Sequence, residues 1–147
     1  MERPADRAIR LHASCASRAG AGVLLIGAPG AGKSELVLRL LARGFVLVAD
    51  DQVLIEAGVA RPPPALAGLL EVRGLGIVRV AHEAPVRLAL VVELGAADRL
   101  PEPCRHPLLG LPMVRIDPAG VAAPERVVLA LDCALGRVAQ VAGAFAA

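Results

Sequence analysis

The stretch GAPGAGKS, Gly27 to Ser34, decides how this chain is read. It holds Lys33, the only lysine among 16 basic residues, set between a glycine and a serine. Gly27, Gly32, Lys33 and Ser34 satisfy the pattern G-x-x-x-x-G-K-[ST], with Ala28, Pro29, Gly30 and Ala31 between them. Glycines let successive backbone N–H groups wrap a phosphate without side chains in the way. The helix that follows would aim its partly positive N-terminus at the same group. A lysine adds a compact ammonium at the β and γ phosphates, and a serine hydroxyl is a ligand for Mg²⁺. Arginine's wider planar fork does not suit that cradle, which explains one lysine in an arginine-rich chain.

The neighbours agree with a phosphate-binding loop. Ala21–Ile26 (AGVLLI) is a short apolar run bounded by glycines, as in a strand buried on both faces. From Lys33 to Arg43, Leu36, Val37, Leu40 and Leu41 recur at helical spacing, and Gly44 is placed to end the helix. Phe45–Ala49 (FVLVA) reads as a second buried strand, giving a βαβ unit. That strand runs into Asp50-Asp51, where two acids after an apolar run are costly unless a metal or a substrate hydroxyl uses them. Neighbours in a strand face opposite sides, so one acid serves the metal and the other the acceptor, with either order open.

Further along, Val53–Glu56 and Val59–Arg61 form a hairpin around Gly58, and Arg61–Ala65 reads as a stiff extended connector. Glu71–Val80 (EVRGLGIVRV) is strand-like with internal glycines, which suggests a bend; Glu71 and Arg73 share one face of it. Val86–Leu94 is another strand, Ala97–Pro112 is loop, and residues 124–147 read as a long alanine-rich C-terminal helix with Pro124 near its start. The expected fold class is α/β, in one domain spanning residues 1–147.

Composition narrows the function. Hydrophobic residues make up 56% of the 147, with Phe45 and Phe145 the only aromatics, so the core must be aliphatic. Net charge is +2 with no basic block, which gives no sign of nucleic-acid binding. Cys15, Cys104 and Cys133 show no CxxC spacing and are expected as small buried hydrophobes in a reducing compartment. The polar start MERPADRAIRLHASCASR lacks the apolar segment of a secretory signal, and no apolar run is long enough to span a bilayer. A cytoplasmic location, with no membrane association, is the expectation.

His12 ahead of the first core strand, GAPGAGKSE, VADD with Asp50 17 positions after Lys33, EVRGLGIVRV, and DRL at Asp98–Leu100 occur in that order. Together they resemble the catalytic domain of HPr kinase/phosphorylase, over roughly residues 8–135. That family is similar in its core to phosphoenolpyruvate carboxykinases. It moves phosphate from ATP to a serine of HPr, the phosphocarrier of the sugar phosphotransferase system, and can remove it with inorganic phosphate as acceptor. The resemblance implies that Gly27–Ser34 hold ATP, that Ser34 and Glu71 bind Mg²⁺, and that Asp51 is the general base. It also implies that Asp50, His12 and Lys33 complete the catalytic group and that Arg99 contacts the transferred phosphate. Read without it, His12 is a structural residue and Arg99 a surface one.

The long family form carries an N-terminal regulatory domain and assembles as a hexamer. Here some twenty residues precede the first core strand, like the short alphaproteobacterial-type form. The apolar C-terminal helix would suit a homo-oligomer interface. Where the long form has a basic stretch linked to dephosphorylation, this chain has LPMVRID (Leu111–Asp117) with Arg115 its only base. The alternatives on the same core are a small-molecule kinase or ATPase and a non-catalytic nucleotide sensor.

Overall fold

The computed structural model describes residues 8–146. Among these residues there are ten strands and two α-helices: β1 (Ile9–Leu11), β2 (Ser14–Arg18), β3 (Ala21–Ile26), α1 (Lys33–Leu41), β4 (Val46–Ala49), β5 (Val53–Glu56), β6 (Val59–Arg61), β7 (Leu69–Val72), β8 (Gly76–Arg79), β9 (Val86–Leu94), β10 (Met113–Ile116) and α2 (Ala123–Ala134). The main sheet runs β1-β5-β6-β9-β3-β2-β4, with β10 paired to β9, while β7 and β8 form a separate hairpin. The α/β class expected from the sequence is observed.

Strand direction explains where the site lies. β3 pairs parallel with β9, and β9 parallel with β10. β2 is antiparallel to both β3 and β4, so β3 and β4 run the same way. The carboxyl ends of β3, β4, β9 and β10 therefore gather at one edge, and β2 begins there, bringing His12 and Ser14 to the same place. Gly22 permits the β3–β9 contact: a Cβ there would lie 3.0 Å from Val86 Cγ2 and 3.1 Å from the Arg87 carbonyl oxygen.

Alternation along the strands makes two cores on opposite faces of the sheet. Val23, Leu25, Leu90 and Val92 pack with Leu36, Val37 and Leu40 of α1 and Val127 and Leu131 of α2. Leu24, Val48, Ile55, Leu88 and Val91 face the other way, covered by Ile9, Leu11, Leu109 and Leu111. Leu70 of the hairpin is fully buried in the helical-face core, which fastens β7 beside α1. Among the described residues no helix is long and apolar enough to cross a membrane.

Several expectations are corrected. The C-terminal helix stops at Ala134 instead of running through residues 124–147. Gly136 takes φ 75°, its N–H bonds the Cys133 carbonyl at 3.0 Å, and the Arg137 N–H bonds that of Asp132 at 2.9 Å. These are the two bonds of a Schellman ending, which outweighs the helical preference of the alanines beyond. EVRGLGIVRV is a hairpin, not one bent strand: it pairs Glu71 with Ile77 and turns through Arg73–Leu75. The Arg61–Ala65 connector is extended only to Pro63, after which Pro64–Leu66 make one 3-10 turn. Of the cysteines only Cys15 is buried; Cys133 is half-buried and Cys104 exposed.

Candidate active site

The loop between β3 and α1 behaves as its glycines require. Gly30 and Gly32 adopt φ 80° and 103°, in the left-handed region that side chains disfavour. Gly32 is the N-cap of α1, and its carbonyl accepts from the Leu36 N–H at 3.0 Å. Lys33 is 6% exposed, and its Nζ donates to the Gly27 carbonyl at 2.9 Å and the Ala28 carbonyl at 3.1 Å. The ammonium thus sits inside the turn, held by the loop it would serve.

Asp50 is the hub of the site. It is 4% exposed at the end of β4, where a carboxylate must be well hydrogen-bonded to be tolerated. Ser34 Oγ donates to it at 2.8 Å and Ser14 Oγ at 2.7 Å, while the Glu71 backbone N–H reaches its second oxygen at 3.2 Å. Four elements (β2, α1, β4 and β7) therefore meet on one carboxylate. Asp51 points elsewhere: its side chain is half-exposed and lies 3.1 Å from His12 Nε2. Its φ of 69° is uncommon outside glycine, though aspartate and asparagine tolerate it better than most. The Ala13 N–H donates to its carbonyl at 3.2 Å, so that turn is fixed from β2.

His12, Ser14, Lys33, Ser34, Asp51, Glu71 and Arg73 line one cavity of about 360 Å³, closed on the loop side by Pro29, Gly30 and Gly32. Asp50 is outside that lining but bonded to Ser14 and Ser34 within it, so the sequence-expected catalytic and metal-binding side chains are brought together apart from Arg99. Arg99 lines a different cavity, beyond β9. Sequence reasoning overlooked Ser14 and placed Arg73 only on the face it shares with Glu71. Ser14 follows His12 by two residues, which in extended chain puts both on one side, and that spacing was its only signal.

Ser34, Asp50 and Glu71 offer a hydroxyl and two carboxylates, hard oxygen donors of the kind Mg²⁺ takes. Among the described residues no three His, Cys, Asp or Glu side chains form a metal-holding cluster. That is compatible with Mg²⁺, which is bound by one or two carboxylates together with substrate phosphates instead of an all-protein cage.

A family model described as HPr Serine kinase C-terminal domain matches residues 5–95. HPr kinase/phosphorylase of Cupriavidus metallidurans is 38% identical over 147 aligned positions, covering 86% of this chain and 45% of that protein. The Burkholderia cenocepacia protein of the same name is 38% identical over 143, covering 85% and 44%. The chain thus spans about half the length of the curated relatives it matches. A solved structure of the Hpr(Ser) kinase/phosphatase from Coxiella burnetii matches with a TM-score of 0.68 at 25% identity, over 87% of this chain and 92% of that one. With the loop, the acid pair and the EVRGLGI hairpin at one sheet edge, this chain belongs to the HPr serine kinase C-terminal domain family.

Proposed function

We propose that this chain transfers the γ-phosphoryl group of ATP to a serine hydroxyl of an HPr-type phosphocarrier, and that the same site can run the reverse phosphorolysis. The observation that carries the reading is the placing of the His12–Asp51 pair in one cavity with Lys33 and Ser34. One wall can hold phosphates while the other receives a hydroxyl.

Phosphoryl transfer needs charge neutralised on the phosphates, in-line positioning and a carboxylate at the attacking hydroxyl. The loop N–H groups of residues 27–34 and the Lys33 ammonium serve the first need. Ser34 and Glu71, with Asp50 bonded to Ser34, would hold Mg²⁺, which would add further neutralisation of the phosphate charge. Asp51 accepts the serine proton as the hydroxyl oxygen bonds to the γ phosphorus and the bond to the β-phosphate oxygen breaks. His12, in contact with Asp51, orients it. In phosphorolysis an oxygen of inorganic phosphate bonds to the phosphorus as the bond to the serine oxygen breaks, pyrophosphate leaves, and Asp51 passes the proton given up by the inorganic phosphate to the serine oxygen.

The hairpin favours a protein acceptor over a small molecule. Leu75 and Ile77 are 75% and 72% exposed there, a few residues from Glu71 and Arg73 on the cavity wall. Exposed apolar residues beside a site form a contact surface for a partner protein.

The acceptor is tested by following ADP release with ATP and Mg²⁺, with and without a purified HPr-type carrier. Release that depends on the carrier and stops when its acceptor serine is replaced by alanine is the expected result. Release at the same rate without the carrier would assign an ATPase instead.

A further inference from the structure

A larger cavity, about 660 Å³, lies on the other side of the loop strand. β3 has β2 and β4 on one flank and β9 and β10 on the other. The catalytic acids follow β4, whereas this cavity is walled by the segments that follow β9 and β10 and by α2. Ile116, Leu129, Cys133 and Phe145 give it apolar walls, and Asp98, Arg99, Arg115, Asp117, Arg126 and Gln140 bring polar groups into its lining. A concavity with apolar walls and polar groups set among them, within roughly 300–1,000 Å³, is what small-molecule sites look like.

The loop that lines the first cavity touches the segment that follows β10. Gly32 lines the phosphate side, and a Cβ on it would lie 3.7 Å from Pro118 Cβ, one residue past Asp117. Arg39 of α1 donates to the carbonyls of Pro118 at 3.0 Å and Val121 at 2.9 Å, fixing that segment against the helix that carries Lys33. A glycine at position 32 keeps a side chain out of that contact. In open α/β sheets a ligand lies across the carboxyl ends of strands where the connections diverge to opposite flanks. Phosphates on Lys33, with their acids toward β4, leave the β9–β10 flank for the rest of the molecule.

We infer that the cavity between β10, α2 and the 140–145 segment takes the nucleoside of the phosphoryl donor. Leu129 and Phe145 supply apolar contact to the base. Asp117 accepts the Ala119 N–H at 2.9 Å on one carboxylate oxygen, and its second oxygen is available to a ribose hydroxyl or base N–H. The inference rests on the P-loop reading above, and it gives Arg99 a place on the donor side of the centre.

Two ligands separate the parts: MgATP, and Mg²⁺ with inorganic tripolyphosphate, which has the phosphates and no nucleoside. Leu129 is 57% exposed, so Leu129→Glu changes the cavity wall with little burden on the fold. It is expected to weaken ATP by at least about tenfold while tripolyphosphate affinity stays within about twofold. In a Cys104→Ser background, ATP but not tripolyphosphate is expected to slow alkylation of Cys133 by N-ethylmaleimide. Cys15 does not interfere, because complete burial pushes its thiol pKa far up. Equal effects of Leu129→Glu on both ligands, or no effect on either, would overturn the inference, as would equal protection of Cys133 by both. Failure of the P-loop reading looks different: neither ligand would then respond to Lys33→Ala.

Discussion

Asp51→Asn is expected to lower phosphotransfer by about a hundredfold or more while leaving ATP affinity nearly unchanged, since general-base catalysis contributes on the order of 10²–10⁴. The substitution is close to isosteric, and asparagine also tolerates the left-handed backbone that Asp51 adopts at φ 69°. The bond from the Ala13 N–H to the Asp51 carbonyl does not involve the side chain. The side chain is half-exposed, so no buried partner is orphaned. What is lost is the ability to take a proton beside His12. Single-turnover transfer and calorimetric ATP binding, measured together, check this. Transfer at the normal rate in the variant would remove Asp51 from the role of base and return Asp50 to consideration. Asp50 is poorly suited to it, because Ser14, Ser34 and the Glu71 N–H already occupy its oxygens.

Lys33→Ala is expected to weaken binding of both ATP and tripolyphosphate by roughly ten- to a hundredfold, the scale of a hydrogen bond to a charged group. Transfer should fall further, because the ammonium also neutralises charge as the phosphoryl group moves. The lysine bonds the Gly27 and Ala28 carbonyls, so its removal also loosens the loop. A thermal melt of the variant separates that contribution. Lys33→Arg should not restore activity, because a planar guanidinium cannot occupy the same space within the turn. Unaltered ligand affinity in Lys33→Ala would contradict the reading of residues 27–34 as a phosphate cradle.

The strands legible in the sequence were those whose local pattern and tertiary setting agree. Ala21–Ile26 is an apolar run and Val86–Leu94 is apolar apart from Arg87 and Glu93, and they form the parallel pair at the middle of the sheet. Gly44 between α1 and β4, and Gly58 between β5 and β6, mark turns by left-handed φ values of 86° and 75°. β2 was hidden because SCASR is built of small and polar residues; Ser14 and Ser17 are buried through bonds to partners 36 and 66 positions away. β10 escaped notice because four residues carry little periodicity, and its pairing with β9 comes from distant chain. The C-terminal helix was overextended because alanine content outweighed the single glycine that ends it.

The site divides along the same line. Gly27–Ser34 form a contiguous motif whose chemistry can be read from residue types alone. Asp50 and Asp51 were visible as a costly pair, yet what separates them is three-dimensional contact, with Ser14 and Ser34 on one and His12 on the other. Position along the chain could not place Arg99, since the segment following β9 has no regular structure to set its direction.

The most direct test of the account is transfer of label from γ-labelled ATP, with Mg²⁺, to a purified HPr-type carrier, with mass spectrometry to locate the phosphate. The account predicts label on one carrier serine, formed by the unaltered chain and lost in Asp51→Asn. A chain that binds ATP but leaves every carrier serine unlabelled would contradict it.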